Sequence, residues 1–212
     1  MSPEDLARRH PRLFHQTAPE AWPTIREHGL LPAAELVRRA RADLAGLTRA
    51  PRPAGVELQT DFGQATINDN IPLSVAALGH CLDDGLSPAD WCAMLAERVF
   101  FWTSEAGLAR LRGARTNRNR ARLVLEVDTL SLARAHGERI ELSPINSGST
   151  IRKAARRGLH TFAPLQDFAD YGDWAEQRMR LGHVQSRDTA REITVRGGIP
   201  DIAAHVVERR LS

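Results

Sequence analysis

Four segments of this chain hold side chains that could work on one ligand. In Leu13-Phe14-His15-Gln16-Thr17 the composition predicts a strand, and His15 and Thr17 are two residues apart. Alternation puts both on one face, about 7 Å apart, so an imidazole and a hydroxyl could grip the same ribose diol or amide. Phe101-Trp102-Thr103-Ser104 offers an aromatic wall that ends in hydroxyls. Asn146-Ser147-Gly148-Ser149-Thr150 is dense in small hydrogen-bonding groups ahead of a helix-like run. Free backbone N–H groups and a helix dipole favour an anion at such a place. Glu192 opens Glu192-Ile193-Thr194-Val195-Arg196, whose alternation is that of a strand with two unlike faces, and Gly197-Gly198-Ile199-Pro200 stops it. Each segment also has a plainer reading: a strand histidine, packed aromatics, an ordinary helix cap and a solvated strand face.

The net charge is only +3, yet the 29 basic residues include a single Lys, Lys153. Guanidinium forks suit phosphates and stack on bases. Codon usage in a GC-rich genome explains a high Arg total equally well, so distribution carries the argument. Arg110 to Arg122 holds six Arg and no acid, with Asn117 and Asn119 between Arg115, Arg118 and Arg120. Amides can read base edges while guanidiniums hold the backbone, so Arg115, Arg118 and Arg120 are candidate nucleic-acid contacts. Arg152, Lys153, Arg156 and Arg157 form a second basic cluster, with Arg152 the candidate contact there.

The elements that must position these groups fit one domain over residues 1–212, large enough for a core at 23.5 kDa. Strands are expected at 13–17, 99–103, 122–128, 140–142, 192–195 and 204–207, with 159–162 extended. Helices are expected at 18–28, 33–47, 73–82, 88–97, 104–112 and 129–136, and near Trp174, with a surface loop over 48–63. That irregular interspersion predicts an α+β fold with a mixed or antiparallel sheet. No apolar run approaches the roughly 20 residues of a membrane span, and Met1 to Asp5 have no signal-peptide pattern. The expected compartment is cytoplasmic. Cys81 and Cys92 read as reduced core residues, and no metal is expected. The chain has no Walker loop, no G-x-G-x-x-G after a strand, no H-E-x-x-H, no C-x-x-C and no G-x-S-x-G. Nucleotide triphosphatases, Rossmann dehydrogenases and zinc hydrolases are thereby disfavoured.

Taken in order, these segments resemble the ADP-ribosyltransferase superfamily. The strand with His15, Gln16 and Thr17, followed by a helix ending Glu27-His28-Gly29-Leu30-Leu31-Pro32, is similar to its first motif, which holds NAD. Val99-Phe100-Phe101-Trp102-Thr103-Ser104 is similar to the middle strand that packs on nicotinamide. Arg191-Glu192-Ile193-Thr194-Val195 resembles the last motif, which supplies the catalytic Glu. The nearest likeness is to DarT-type nucleic-acid-modifying toxins and to a bacterial domain family carrying similar "RVFFW" and "SPINSGST" segments. The resemblance implies a split β-core, with NAD as co-substrate held by His15, Gln16, Thr17, Phe101, Trp102, Thr103, Ser104, Asn146 and Ser147. It implies Glu192 as the catalytic carboxylate, a DNA or RNA acceptor, and a neutralising partner such as an antitoxin or a hydrolase. Those toxins hold the NAD phosphates with an Arg after the first helices; Arg52 lies in that stretch, whereas Asn68-Asp69-Asn70 has no Arg. RNA 2′-phosphotransferases share the fold and the first His but rely on further Arg residues without a match here. Removal of an RNA 2′-phosphate and non-catalytic binding of nucleic acid stay open beside base modification.

Overall fold

The computed structural model describes residues 1–113, 121–151, 154–180 and 190–211, with the side chains of 110–113 and 180 left aside. Chain order begins α1 (Pro3–Arg9), β1 (Arg12–Thr17), α2 (Trp22–His28), α3 (Ala33–Arg39), α4 (Leu44–Thr48), β2 (Val56–Thr60), β3 (Gly63–Ile67), α5 (Val75–Cys81) and α6 (Pro88–Ala96). It continues with β4 (Arg98–Trp102), α7 (Glu105–Gly113), β5 (Leu123–Asp128), α8 (Thr129–His136), β6 (Ile140–Ser143) and β7 (Ala163–Pro164). Then come α9 (Tyr171–Arg180), β8 (Glu192–Arg196), α10 (Ile202–His205) and β9 (Val206–Leu211). The fold is α+β, and no described helix is long and apolar enough to cross a membrane.

Seven strands form one sheet in the order β7-β6-β8-β4-β1-β5-β9, and every pairing in it is antiparallel. The expectation of a mixed or antiparallel sheet narrows to an antiparallel one. β1 pairs with β5 through six residues, and β4 with β8 through five. Between β1 and β4, in contrast, the register holds a single pair, Phe14 with Trp102. The sheet is therefore weakly stitched at its centre, and the His15 side chain fills the gap by donating from Nδ1 to the Phe100 carbonyl at 2.9 Å.

Directly paired residues in an antiparallel sheet share a face. The row Ser143–Glu192–Trp102–Phe14–Glu126–Glu208 thus crosses six strands on one face. The opposite face carries Leu13, Val99, Phe101, Leu125, Leu142, Ile193 and Val195, all sealed in the main core under α1, α2, α8, α9 and α10. The Glu192 face has two smaller covers. One gathers Leu78, Trp91 and Phe162 against Phe100, and the other packs Leu108 of α7 on Phe14, Val124 and Trp102.

Local chemistry sets most boundaries. Ser87 caps α6 in a capping box with Asp90, and Pro88 sits in the first turn. Asp128 caps α8 through the Ser131 N–H. Other boundaries depart from expectation. The helix expected over 33–47 breaks after Arg39: Arg41 takes φ 54°, and Asp43 caps α4 by accepting from Gly46 N–H. The loop expected over 48–63 contains β2, which pairs with β3 in a hairpin whose Leu58 and Ile67 bury against Val37. Residues 159–162 form a 3₁₀ turn over Leu159–Thr161, and β7 follows it. The strand expected at 204–207 starts only at Val206, because Ala204 and His205 close α10.

Candidate active site

Glu192 stands at the first residue of β8 and is 4% exposed. Its Oε2 accepts from the Ser147 backbone N–H at 3.1 Å and the Ser147 hydroxyl at 2.6 Å. No described residue donates to Oε1. Burial pushes the carboxyl up to about 7, against the opposing pull of the Ser147 hydrogen bonds and the Arg157 and Arg191 charges. A carboxylate in such a place is poised to exchange a proton near neutrality, which is common at working sites.

Three bonds pin the chain entering β8. Ala190 N–H donates to the Tyr171 hydroxyl at 2.6 Å, Thr103 Oγ1 donates to the Ala190 carbonyl at 2.7 Å, and Arg191 N–H donates to the Ser143 carbonyl at 2.8 Å. The loop carrying Ser147 is pinned from the other side. Arg157, 1% exposed, donates to the carbonyls of Ser147, Ser149 and Ala155, and its guanidinium lies 5.6 Å from the Trp91 ring. Thr150 ties the same loop to Pro72 and Ser74.

The structure divides the expected NAD-binding residues between two faces. Trp102, half-buried, is directly opposite Glu192, and Gln16 shares that face two residues from Phe14. Asn146 precedes Ser147, and its carboxamide has no partner among the described residues. Ser147 is brought to the site, but its hydroxyl is spent on Glu192. His15, Thr17 and Phe101 belong to the other face. Phe101 is fully buried, 5.7 Å ring to ring from His15, so it is a core residue and cannot stack on a ligand as expected. Thr103 serves the chain into β8, and Ser104 caps α7 by accepting from Gly107 N–H.

His15 nevertheless reaches across the split, since its Nδ1 bonds to the Phe100 carbonyl of β4. A carbonyl can only accept, so Nδ1 carries the proton and Nε2 is a bare acceptor. Burial holds this imidazole below its ordinary pKa, which keeps it neutral. Nε2 has no partner among the described residues.

Among the expected basic residues, Arg115, Arg118, Arg120, Arg152 and Lys153 lie outside the described residues. Arg156 pairs with Asp83. Arg157 is buried beneath the Ser147 loop, which removes it from the surface cluster. Arg52 spends Nε on the Asn68 carbonyl and Nη1 on the Leu47 carbonyl, bracing the loop before α5. Trp91 and Arg157 were not legible as site residues. One looks like any apolar helix position, and the other like its neighbour Arg156.

Two further features bear on the chemistry. A cavity of about 120 Å³ lies among Pro144, Phe162, Phe168, Trp174 and Arg178, and it holds none of the expected site residues. His136, Asp201 and His205 form the metal-like grouping among the described residues, with ligand atoms within 4.8 Å. Arg139 donates to His136 Nδ1 at 2.7 Å. Neutral His136 must then carry its proton on Nε2, pointed at Asp201 2.6 Å away, and has no lone pair there for a metal. The grouping works as a hydrogen-bonded clasp between α8 and α10.

No curated protein matches the chain. Its residues 11–206 match the model of a family described as a family of unknown function, DUF7002, and the chain belongs to that family.

Proposed function

We propose that the chain is an NAD-dependent ADP-ribosyltransferase whose acceptor is a nucleic-acid base. The observation that carries this is Glu192, a buried carboxylate held by two Ser147 donors at the start of β8, one strand away from the split between β4 and β1. His15, a neutral acceptor in the split, suits a ribose hydroxyl, and half-buried Trp102 beside Glu192 offers an aromatic surface. This donor set suits NAD, with Trp102, not the buried Phe101, as the aromatic of β4 beside it. β8 and β1 are two strand spacings apart, roughly 10 Å, a span that one dinucleotide can bridge.

Bound NAD supplies the ADP-ribosyl group, with nicotinamide as its leaving group. Glu192, ionised, stabilises positive charge that develops at the ribose as the nicotinamide bond breaks. The same carboxylate takes the proton from an acceptor amine as the new bond to the ribose forms. Ser147 keeps Oε2 fixed and leaves Oε1 to the reaction.

Incubation with NAD and single-stranded DNA or RNA tests this through released nicotinamide and through added mass on the oligonucleotide. Wild type should give both. Glu192→Gln keeps the shape and loses the charge, and should cut the rate by about 10²–10³ with the fold intact. A Gln variant as fast as wild type removes Glu192 from the chemistry. Absence of nicotinamide from the wild-type reaction favours a non-catalytic binding module instead.

A further inference from the structure

We infer that Arg157 is a positioning residue for Glu192, acting through the Ser147 peptide. The inference rests on Glu192 as the working carboxylate, although the geometry behind it stands alone. Burying a guanidinium costs several kcal/mol unless its donors are met. Arg157 meets that cost without a carboxylate: its Nε, Nη1 and Nη2 go to the carbonyls of Ala155, Ser147 and Ser149, at 3.0, 2.9 and 3.0 Å. Two of those carbonyls belong to the loop that caps Glu192. Trp91 Nε1 adds a longer bond to the Ser147 carbonyl at 3.4 Å, under the same guanidinium.

Ser147 is thereby gripped from opposite sides. Its carbonyl faces Arg157 and Trp91, while its N–H and hydroxyl face Glu192. The guanidinium does not touch the carboxylate; the Ser147 residue lies between them. Backbone bonds lock Arg157 itself, since its N–H donates to the Cys81 carbonyl and its carbonyl accepts from Asp83 N–H. A charge held this rigidly keeps the two Ser147 donors aimed at Oε2. Both effects favour the ionised form of Glu192. Without Arg157 the loop relaxes, Glu192 keeps its proton to higher pH, and the rising limb of any pH–rate profile moves the same way.

The test is a carboxyl-carbon NMR titration of Glu192, with the signal assigned by its loss in Glu192→Gln. Arg157→Met keeps length without charge and should raise the midpoint by about one pH unit or more. Arg157→Lys should fall between that variant and wild type, because an ammonium cannot bridge three carbonyls as a planar fork does. A folded Met variant with the wild-type midpoint overturns the inference. If the Met variant does not fold, Trp91→Phe and Arg157→Lys decide: each should raise the midpoint and speed hydrogen exchange of the Ser147 amide, and no change in either overturns it. The titration needs no NAD. A wild-type protein that releases no nicotinamide therefore sinks the proposed function, while the link from Arg157 to Glu192 is judged separately.

Discussion

Proton binding at Glu192 couples the site to stability. Its carboxyl titrates near 7 in the fold against an ordinary value of 4.5. Between those values the folded chain keeps a proton that the unfolded chain releases, so stability falls as pH rises through the window and stays lower above it. Full expression of the shift costs about 3 kcal/mol. Glu192→Gln does not titrate, so it should match wild type at pH 4 and exceed it at pH 8 by up to about 3 kcal/mol in denaturant unfolding. Equal unfolding midpoints at pH 8 would show that the carboxyl is not destabilised. His10 gives the opposite slope: burial pushes it down to about 4, so stability falls as pH drops from 6.5 toward 4. His15 is the second residue whose chemistry is specific. His15→Ala should weaken NAD affinity several-fold while the chain still folds; calorimetric titration with unchanged affinity removes it from the site. The types and order of these residues were legible, but their grouping was not. Period-two alternation says that His15 and Thr17 share a face. It does not say that Trp102 rather than Phe101 joins Glu192, because that depends on the register of β4 against β8, set by tertiary pairing.

Among the elements, those with strong local signals were legible. Ser87-Pro88 starts α6, Thr129–His136 is a helix as expected, and β1, β4, β5 and β8 fall within a residue or two of their expected limits. The hairpin β2–β3 was hidden because Pro51, Pro53, Gly55 and Gly63 dominate the composition around a five-residue alternation. The strand at the C-terminus was expected at 204–207, but its continuation to Leu211 was hidden because Glu208, Arg209 and Arg210 interrupt any apolar period on an edge strand. One sequence signal has a structural cause that only the tertiary contact explains. Gly29 ends α2 at φ 87°, where Leu30 and Ile199 exchange N–H···O bonds at 3.0 and 2.9 Å. A Cβ there would lie 2.6 Å from Pro200 Cα. The segment after α2 is thus docked on the turn after β8, which ties the chain following β1 to the chain following β8. Gly29→Ala adds both strain at positive φ and a backbone clash, and should destabilise by more than about 1 kcal/mol. Denaturant unfolding no different from wild type would mean that the docking is loose.

For the molecule as a whole, the two sheet faces divide the labour. One is closed over most of its width by a single large core. The other has two small covers, one against Phe100 and one over Phe14 and Trp102, with Gly107 letting α7 lie close to the Trp102 indole. Arg115, Arg118 and Arg120 join α7 to β5, two elements anchored through Leu108 and Val124 in the cover over Phe14 and Trp102. If the acceptor is nucleic acid, these three Arg are the proposed phosphate contacts. Each phosphate contact adds about −0.7 to −0.9 to the slope of log affinity against log salt. Replacing Arg115, Arg118 and Arg120 together with Ala should flatten the slope for a single-stranded oligonucleotide by about 2 to 3. The same triple variant should release nicotinamide from NAD at the wild-type rate, because the carboxylate and its Ser147 donors are untouched. Binding with an unchanged slope would move the phosphate contacts to the second basic cluster around Arg152. Affinity indifferent to salt in the wild type itself would point the transfer toward a protein or a small molecule.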